Sequence, residues 1–338
     1  TLAAPLTNNT YQLIVNPGSD GNSLLDNCDR PIPSGESVTF TYNKPAPIFA
    51  DSIGTTGCAP NELNVYFPKK IICSTIAPDG SDFSVSGPYP VSVSGAVGNC
   101  VNGQTGYVTV KLASPVVNKG TYTLTLKTGI DGTTIIDECG IELPLQSLPF
   151  NAADTVSADF SIINNLGCSY DTLFFHHNGA HDVYVWNWTF NNSSSSAGQS
   201  ASAVFPASST NAIQLSVSNG VCSDSVTKPV VLDNEVKADF DMPGDICPED
   251  KLVITNTSTG LIDSWQWDFG VLGTSNLKSP LPVSFPLNTN REMIYLIRLL
   301  ATNNTLGCTD TASKPIRVFN NCFIAVPGAF TPNGDGLN

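Results

Sequence analysis

The sequence predicts an all-β protein built from several β-sandwiches in an elongated array. Apolar and polar residues alternate at period two in segments such as 63–67, 107–112 and 122–126, which indicates strands with one buried face. A helical period of useful length is missing from the whole chain. Two kinds of internal repeat divide the 338 residues, and repetition on this scale is typical of tandem small domains.

The composition excludes several classes of function. Charged residues make up only 13% of the chain, against about 25% in ordinary soluble domains, and the net charge is −14. This charge would repel nucleic acid and an anionic membrane surface, so we expect neither as a partner. Apolar runs stay shorter than the 18 or so residues of a membrane span, so we expect no direct membrane insertion.

The first repeat relates the beginning of the chain to its middle. Residues 10–28 align with residues 121–139 at a constant offset of 111, with eight of nineteen positions identical. We therefore predict that residues 1–42 are the C-terminal part of one domain and that residues 43–151 are a complete copy of it. The partial copy predicts that the full protein extends further at its N-terminus.

The second repeat fills most of the remaining chain. Residues 158–160, 186–190 and 222–232 match 238–240, 265–269 and 308–318, which predicts two domains at 152–234 and 235–320. Alternate tryptophans in each copy place both rings on one face of a strand, and we interpret them as core anchors. The serine-rich segment 193–202 in the first copy is of low complexity and predicts a mobile loop.

Both repeats resemble known extracellular modules. Phe67-Pro-Lys, Gly80-Ser-Asp-Phe-Ser-Val-Ser-Gly87 and the turn after Gly120-Thr-Tyr resemble the bacterial Ig-like domains of surface-layer proteins and giant adhesins, which are β-sandwich spacers. Trp265-Gln-Trp-Asp-Phe-Gly270 resembles the PKD domain, another Ig-like sandwich. The first copy has Thr189 where the second has Asp268, which argues against a functional role for that aspartate.

The ten cysteines predict disulfides and an oxidising compartment, since no CxxC pair occurs. Equal placement in the PKD-like repeats predicts Cys168–Cys222 and Cys247–Cys308. The other complete domain allows three pairings, of which we prefer Cys58–Cys139 with Cys73–Cys100. Cys28 is then expected to pair upstream of the chain and Cys322 to pair downstream or stay free, unless both find partners within it.

The last residues, 321–338, predict a linker and the start of a further domain. Val326-Pro-Gly-Ala-Phe330-Thr-Pro-Asn-Gly-Asp335-Gly closely resembles the opening of the C-terminal sorting domain of proteins exported by the type IX secretion system of Bacteroidetes. The resemblance is carried by Pro327, Phe330, Thr331, Pro332, Asn333, Gly334, Asp335 and Gly336. It implies two partners, the type IX translocon and an outer-membrane protein, and a location at the cell surface.

Five stretches of Asp-Ser/Thr followed by a small apolar residue resemble the O-glycosylation sequon of exported Bacteroidetes proteins. Their candidate acceptors are Ser52, Thr155, Thr172, Ser225 and Thr311. The alternative is that two of these stretches simply occupy equivalent strand positions in a repeat.

Neither a catalytic nor a metal site is predicted. The three histidines, His176, His177 and His181, have a spacing that suits a metal, but the sister repeat lacks them. Asn333-Gly-Asp335 has calcium-type oxygen donors, yet too few to prefer a site over a tight turn. We therefore predict a protein without enzymatic activity or cofactors.

Together these features predict the stalk of a large secreted adhesin. The resemblance is to SprB-like gliding-motility adhesins, with a role in gliding or surface attachment and an adhesion target that the sequence does not identify. The alternative is the spacer region of a secreted polysaccharide-degrading enzyme. More copies of the 111-residue repeat upstream would favour the adhesin, whereas a module with acidic or metal-ligand clusters would favour the enzyme.

Overall fold

A computed structural model describes residues 2, 4, 6–287 and 291–322. The chain divides into two compact units, Thr1–Thr155 and Val156–Asn338. The regular structure of the described residues is β-strand apart from two single 3-10 turns, Cys73–Thr75 and Gly270–Leu272. Within those residues, no helix is long and apolar enough to cross a membrane. The all-β prediction is confirmed.

The first unit contains one complete β-sandwich. A four-stranded sheet of order β3-β4-β7-β6 faces a three-stranded sheet of order β5-β8-β9, and all neighbouring strands are antiparallel. Alternate residues of β4, β7 and β8 fill the space between the sheets, including Leu63, Val108 and Leu124. The strands of this unit are β1 (Asn9–Ile14), β2 (Ser37–Tyr42), β3 (Ser52–Ile53), β4 (Glu62–Ile72), β5 (Phe83–Ser86), β6 (Val93–Gly98), β7 (Gln104–Leu112), β8 (Gly120–Leu126) and β9 (Gln146–Ala152).

The N-terminal strands β1 and β2 reproduce only one corner of this sandwich. They pair in antiparallel fashion and stack Tyr11 on Phe40 at 5.9 Å, as β8 and β9 stack Tyr122 on Phe150 at 5.5 Å. These two strands keep the pairing and the ring contact of β8 and β9, but their apolar side chains are not buried in a core. Leu13, which aligns with the buried Leu124, is 63% exposed.

The second unit begins with a sandwich that matches the first PKD-like copy. A three-stranded sheet of order β10-β11-β14 faces a four-stranded sheet of order β13-β12-β15-β16. Its strands are β10 (Phe160–Asn165), β11 (Tyr170–His177), β12 (Val185–Phe190), β13 (Ser193–Ala197), β14 (Ser200–Pro206), β15 (Ser208–Ser218) and β16 (Ser223–Asp233).

The serine-rich segment is not the loop that its composition predicts. Ser193–Ala197 forms the edge strand β13, which pairs with β12 along Asn187–Phe190. The backbone of β12 offers hydrogen-bonding groups on this edge, and the serine-rich backbone pairs with them. A tertiary partner therefore overrides a weak local preference.

The second PKD-like copy is more irregular. A five-stranded sheet of order β18-β25-β24-β21-β22 is accompanied by two short pairs, β17-β20 and β19-β23. The strands are β17 (Phe240–Asp241), β18 (Asp245–Ile246), β19 (Lys251–Leu252), β20 (Thr255–Asn256), β21 (Ser264–Asp268), β22 (Thr274–Ser275), β23 (Val283–Ser284), β24 (Met293–Asn303) and β25 (Cys308–Val318).

One tryptophan anchors each PKD-like core. Trp188 and Trp267 are 2% and 0% exposed, and each indole N–H donates a 2.9 Å hydrogen bond to a main-chain carbonyl, of Gly198 and Leu277 respectively. The preceding tryptophan of each pair packs against the same core. The interpretation of these residues as core anchors is confirmed.

Candidate functional site

The disulfides are the feature that distinguishes this chain from a simple row of sandwiches. The structure contains the expected bond between Cys73 and Cys100, with Cα atoms 6.3 Å apart. This bond staples the 3-10 turn after β4 to the loop between β6 and β7, inside one sandwich. The other predicted pairings are replaced by different ones.

Cys168 and Cys222 lie at opposite ends of the first PKD-like sandwich. Cys222 directly precedes β16, whereas Gly167 accepts a hydrogen bond from Asn234, the residue directly after β16. The eleven residues of that strand separate the two cysteines by about 35 Å, far beyond the roughly 7 Å limit on the Cα distance of a disulfide. Cys168 bonds instead to Cys308, with Cα atoms 5.3 Å apart.

The second PKD-like copy repeats this separation. Cys308 is the first residue of β25, while β18 pairs with the other end of that strand, Ile246 beside Val318. Cys247 therefore cannot reach Cys308, and it bonds to Cys322 beyond the end of β25. The predicted bond Cys247–Cys308 is thus wrong, and the rival expectation that Cys322 has a partner within the chain holds.

The same argument corrects the predicted bond between Cys58 and Cys139. Cys58 precedes the start of β4 and is disulfide-bonded, whereas Cys139 is a free, exposed thiol. Next to Cys139, the amide of Glu138 donates to the carbonyl of Lys70, near the other end of β4. The length of a strand again separates the two. Cys28, the counterpart of Cys139 in the partial repeat, is also free and exposed among the described residues.

The bond Cys168–Cys308 joins two successive sandwiches, and other contacts surround it. Leu166 of the first sandwich lines a cavity of about 310 Å³ with Leu261, Ile262 and Leu306 of the second. In the segment between them, the side chain of Asn234 donates to Gly167 and also to the buried Asp171. This junction combines a covalent bond, an apolar contact and buried hydrogen bonds.

In both PKD-like sandwiches, an equivalent lysine contacts an aspartate and the phenylalanine after it. The sequence analysis did not predict this contact. Lys228 lies 2.6 Å from the carboxylate of Asp159 and 4.6 Å from the ring centroid of Phe160, whose carbonyl also accepts from its ammonium. The counterparts in the second sandwich are Lys314, Asp239 and Phe240. The Lys-Pro dipeptide shared by both repeats was the signal that could have identified this contact.

These lysines lower the pKa of the aspartates beside them. The pKa of Asp239 falls below its usual 3.8, first because Lys314 donates to its carboxylate and second because the amide of Phe240 does so. A group with a lower pKa in the folded state contributes stability above its unfolded pKa, and that contribution is lost as the pH falls through the folded value.

We expect Lys314→Met to raise the pKa of Asp239 towards 3.8, as measured by NMR titration of its side-chain carboxyl. The matched variant Lys228→Met, at the same position of the other copy, should shift Asp159 and leave Asp239 unchanged. An unaltered Asp239 titration in Lys314→Met would contradict this assignment.

The five candidate glycosylation acceptors differ in accessibility. Ser52, Ser225 and Thr311 are exposed, whereas Thr155 and Thr172 are half-buried. The preceding aspartates mostly have structural roles. The carboxylates of Asp224 and Asp310 accept hydrogen bonds from the backbone amides of Ala158 and Ala238, respectively. Those of Asp154 and Asp171 accept hydrogen bonds from the backbone amides of Lys119 and Gly167. Folding alone therefore accounts for the recurrent aspartate, and glycosylation stays a prediction.

The histidines do not converge on one point. His176 and His177 are adjacent in β11, so their rings face opposite sides of the sheet. In His177, Nδ1 accepts hydrogen bonds from Gly179 and Trp186, so the proton resides on Nε2, which donates to Ser157. Across the described ranges, no group of three or more His, Cys, Asp or Glu side chains is placed to hold a metal ion.

The predicted sorting motif, Pro327–Gly336, lies outside the described residues, as does the calcium-type sequence within it. The structure does describe the residue that anchors the chain just before it. The bond between Cys247 and Cys322 ties the last described residue to the second PKD-like sandwich.

The chain matches no protein-family model and no curated protein. Among solved structures it is similar to the N-terminal part of the bacterial S-layer protein SbsC, with 14% identity and a TM-score of 0.27, over 56% of this chain and 45% of that one. For an I-band fragment of titin, the identity is 11% and the TM-score 0.31, over 81% of this chain and 99% of that one. For Drosophila N-cadherin EC1-4, the identity is 9% and the TM-score 0.29, over 92% of this chain and 82% of that one. The chain thus spans less than half of the S-layer fragment. Overlaps of this extent do not establish a family.

Proposed function

We propose that this chain is the stalk of a large secreted cell-surface adhesin, exported by the type IX secretion system and acting in gliding or surface attachment. The observation that carries the stalk role is the bond Cys168–Cys308, which joins one sandwich to the next. A disulfide within a sandwich stabilises that sandwich, whereas one between sandwiches transmits load from module to module. A stalk that holds a distal adhesive region needs the second kind.

Two further features support a place outside the cell. Structural disulfides form and persist in oxidising compartments, and this chain contains bonds at Cys73–Cys100, Cys168–Cys308 and Cys247–Cys322. The low charged fraction, with polar uncharged residues on the surface, is also typical of extracellular β-proteins. The export route and the outer-membrane partner rest on the resemblance of Pro327–Gly336 to a sorting domain.

Removing everything after Cys322 in the native host tests the export route. We expect the truncated stalk to accumulate in the periplasm, because the translocon would lack its signal. Surface labelling and cell fractionation would measure where the stalk is.

A variant with Cys247→Ser and Cys322→Ser is the matched control, because it removes the anchor before the motif but keeps the motif itself. This control should reach the surface. A truncated stalk that still reaches the surface would exclude the sorting role of the motif, and retention of both variants would point to folding rather than sorting.

A further inference from the structure

Three side-chain oxygens converge in the complete Ig-like sandwich. The turn before β5 contributes Ser81 and Asp82, and the turn after β8 contributes Asp131, next to Gly129. Asp82 is fully buried. Its Oδ2 accepts a 2.8 Å hydrogen bond from Ala77, but its Oδ1 has no hydrogen-bond partner among the described residues.

Gly129 has no side chain, and the position that a Cβ atom would occupy there lies close to all three oxygens. A methyl group at that position would lie 2.6 Å from Asp82 Oδ1, 3.0 Å from Asp131 Oδ1 and 3.2 Å from Ser81 Oγ. These oxygens are its three nearest heavy atoms outside the adjacent residues. The unpartnered oxygen of Asp82 therefore points into a small space that is lined by oxygen and kept open by a glycine.

The electrostatics of this space are unfavourable without a positive charge. Burial raises the pKa of Asp82, and the nearby carboxylates of Asp131 and Asp79 raise it further, while the hydrogen bond from the amide of Ala77 and the charge of Lys127 act in the opposite direction. A buried carboxylate oxygen without a donor is costly. Either a proton or a bound cation would relieve that cost.

We propose that a calcium ion binds between Asp82 Oδ1, Asp131 Oδ1 and Ser81 Oγ, with water in the remaining positions. The donors are all hard oxygens in an irregular arrangement, which suits the flexible coordination of Ca²⁺ better than the strict octahedron of Mg²⁺. Only two of them are carboxylates, so the affinity should lie in the range of about 0.1–1 mM that is known for extracellular modules. The ion would join the two turns and thereby cross-link the ends of β5 and β8.

The partial repeat provides a natural control. Gly18 and Asp20 align with Gly129 and Asp131, and Asp20 Oδ1 likewise lies 2.7 Å from a methyl position on its glycine. The other nearest atoms at Gly18 are the main-chain oxygen of Asn22 and Cγ of Asp20, so no carboxylate from a second turn joins Asp20 there. Asp20 therefore has the turn without the buried carboxylate.

Thermal unfolding of residues 1–338 at pH 7.5, with and without 5 mM CaCl₂, tests the proposal, together with ⁴⁵Ca equilibrium dialysis. We expect calcium to raise the unfolding temperature of the first unit by roughly 5 °C, and one calcium ion to bind per chain. Asp20→Asn should behave like the original chain. Asp131→Asn, an exposed change of the same kind, should lose both the shift and the bound ion.

Equal calcium responses in Asp131→Asn and Asp20→Asn would overturn the proposal, as would the absence of bound calcium in the original chain. One specific alternative has its own signature. If stability increases as the pH falls from 7 to 5 and calcium has no effect, Asp82 holds a proton in this space and the cation site does not exist. None of these outcomes depends on the chain being a stalk.

Discussion

Under load, reduction of the disulfides is expected to lengthen the second unit by about 460–500 Å. The bond Cys168–Cys308 spans 140 residues, and each residue extends by about 3.3–3.6 Å. While the bond is intact, a pulling force passes from Cys168 directly to Cys308. Only segments 156–168 and 308–338 then lie between the two ends of the unit, so strands β11 to β24 are shielded from tension.

Single-molecule force spectroscopy would measure this length. The oxidised chain would be held between a handle at Val156 and its C-terminal end, and then pulled with and without dithiothreitol. The variant with Cys168→Ser and Cys308→Ser is the matched control. Among the bonds described above, this variant keeps Cys247–Cys322, which spans 75 residues, so reduction of that bond should release only about 250–270 Å.

The alternative pairing makes a different prediction for the same experiment. Bonds at Cys168–Cys222 and Cys247–Cys308 would release two separate lengths of about 180–190 Å and 200–220 Å on reduction. Observation of those two lengths would contradict the connection between sandwiches. It would also remove the main support for a load-transmitting stalk.

The second large effect concerns equivalent leucines in the two copies of the 111-residue repeat. We expect Leu124→Ala to lower the free energy of unfolding of the first unit by about 3 kcal/mol, because it removes a buried side chain and leaves a cavity. Leu13→Ala makes the same chemical change at the aligned position. Since Leu13 is 63% exposed, its loss should change stability by about 0.5 kcal/mol or less.

Urea unfolding of both variants, monitored by circular dichroism rather than by tryptophan fluorescence, would measure the difference in their free energies of unfolding. The two substitutions control each other because the residue and its aligned position in the repeat are the same. A loss of several kcal/mol in Leu13→Ala would show that strands β1 and β2 are packed in a core, contrary to the structure.

Much of the fold could be predicted from short-range patterns. The alternation in Leu63–Phe67 predicts one buried face, and Leu63 and Val65 are indeed each 1% exposed. The repeats predicted that Trp188 and Trp267 would have the same role, and they do. Such patterns succeed because residues i and i+2 of a strand share a face wherever the strand lies.

The candidate site was less predictable, because it depends on distances between ends of strands. Equal placement in two repeats showed that Cys222 and Cys308 are equivalent. It did not show that the length of a strand separates Cys222 from Cys168 and Cys308 from Cys247. Sequence separation also gave no reason to connect Asp82 with Asp131, since they belong to different turns. These contacts arise only when β5 and β8 pair.

The sequence by itself determined that this protein is a series of β-sandwiches and which aromatic residues anchor the PKD-like cores, since both follow from local periodicity and self-similarity. The tertiary structure alone decided that Cys168 bonds to Cys308, that the serine-rich segment is a strand, and that Gly129 leaves room for three converging oxygens. The reason is physical: a disulfide, an edge pairing or a cluster of donors requires atoms within a few ångströms of each other, and only the packing of distant strands sets those distances.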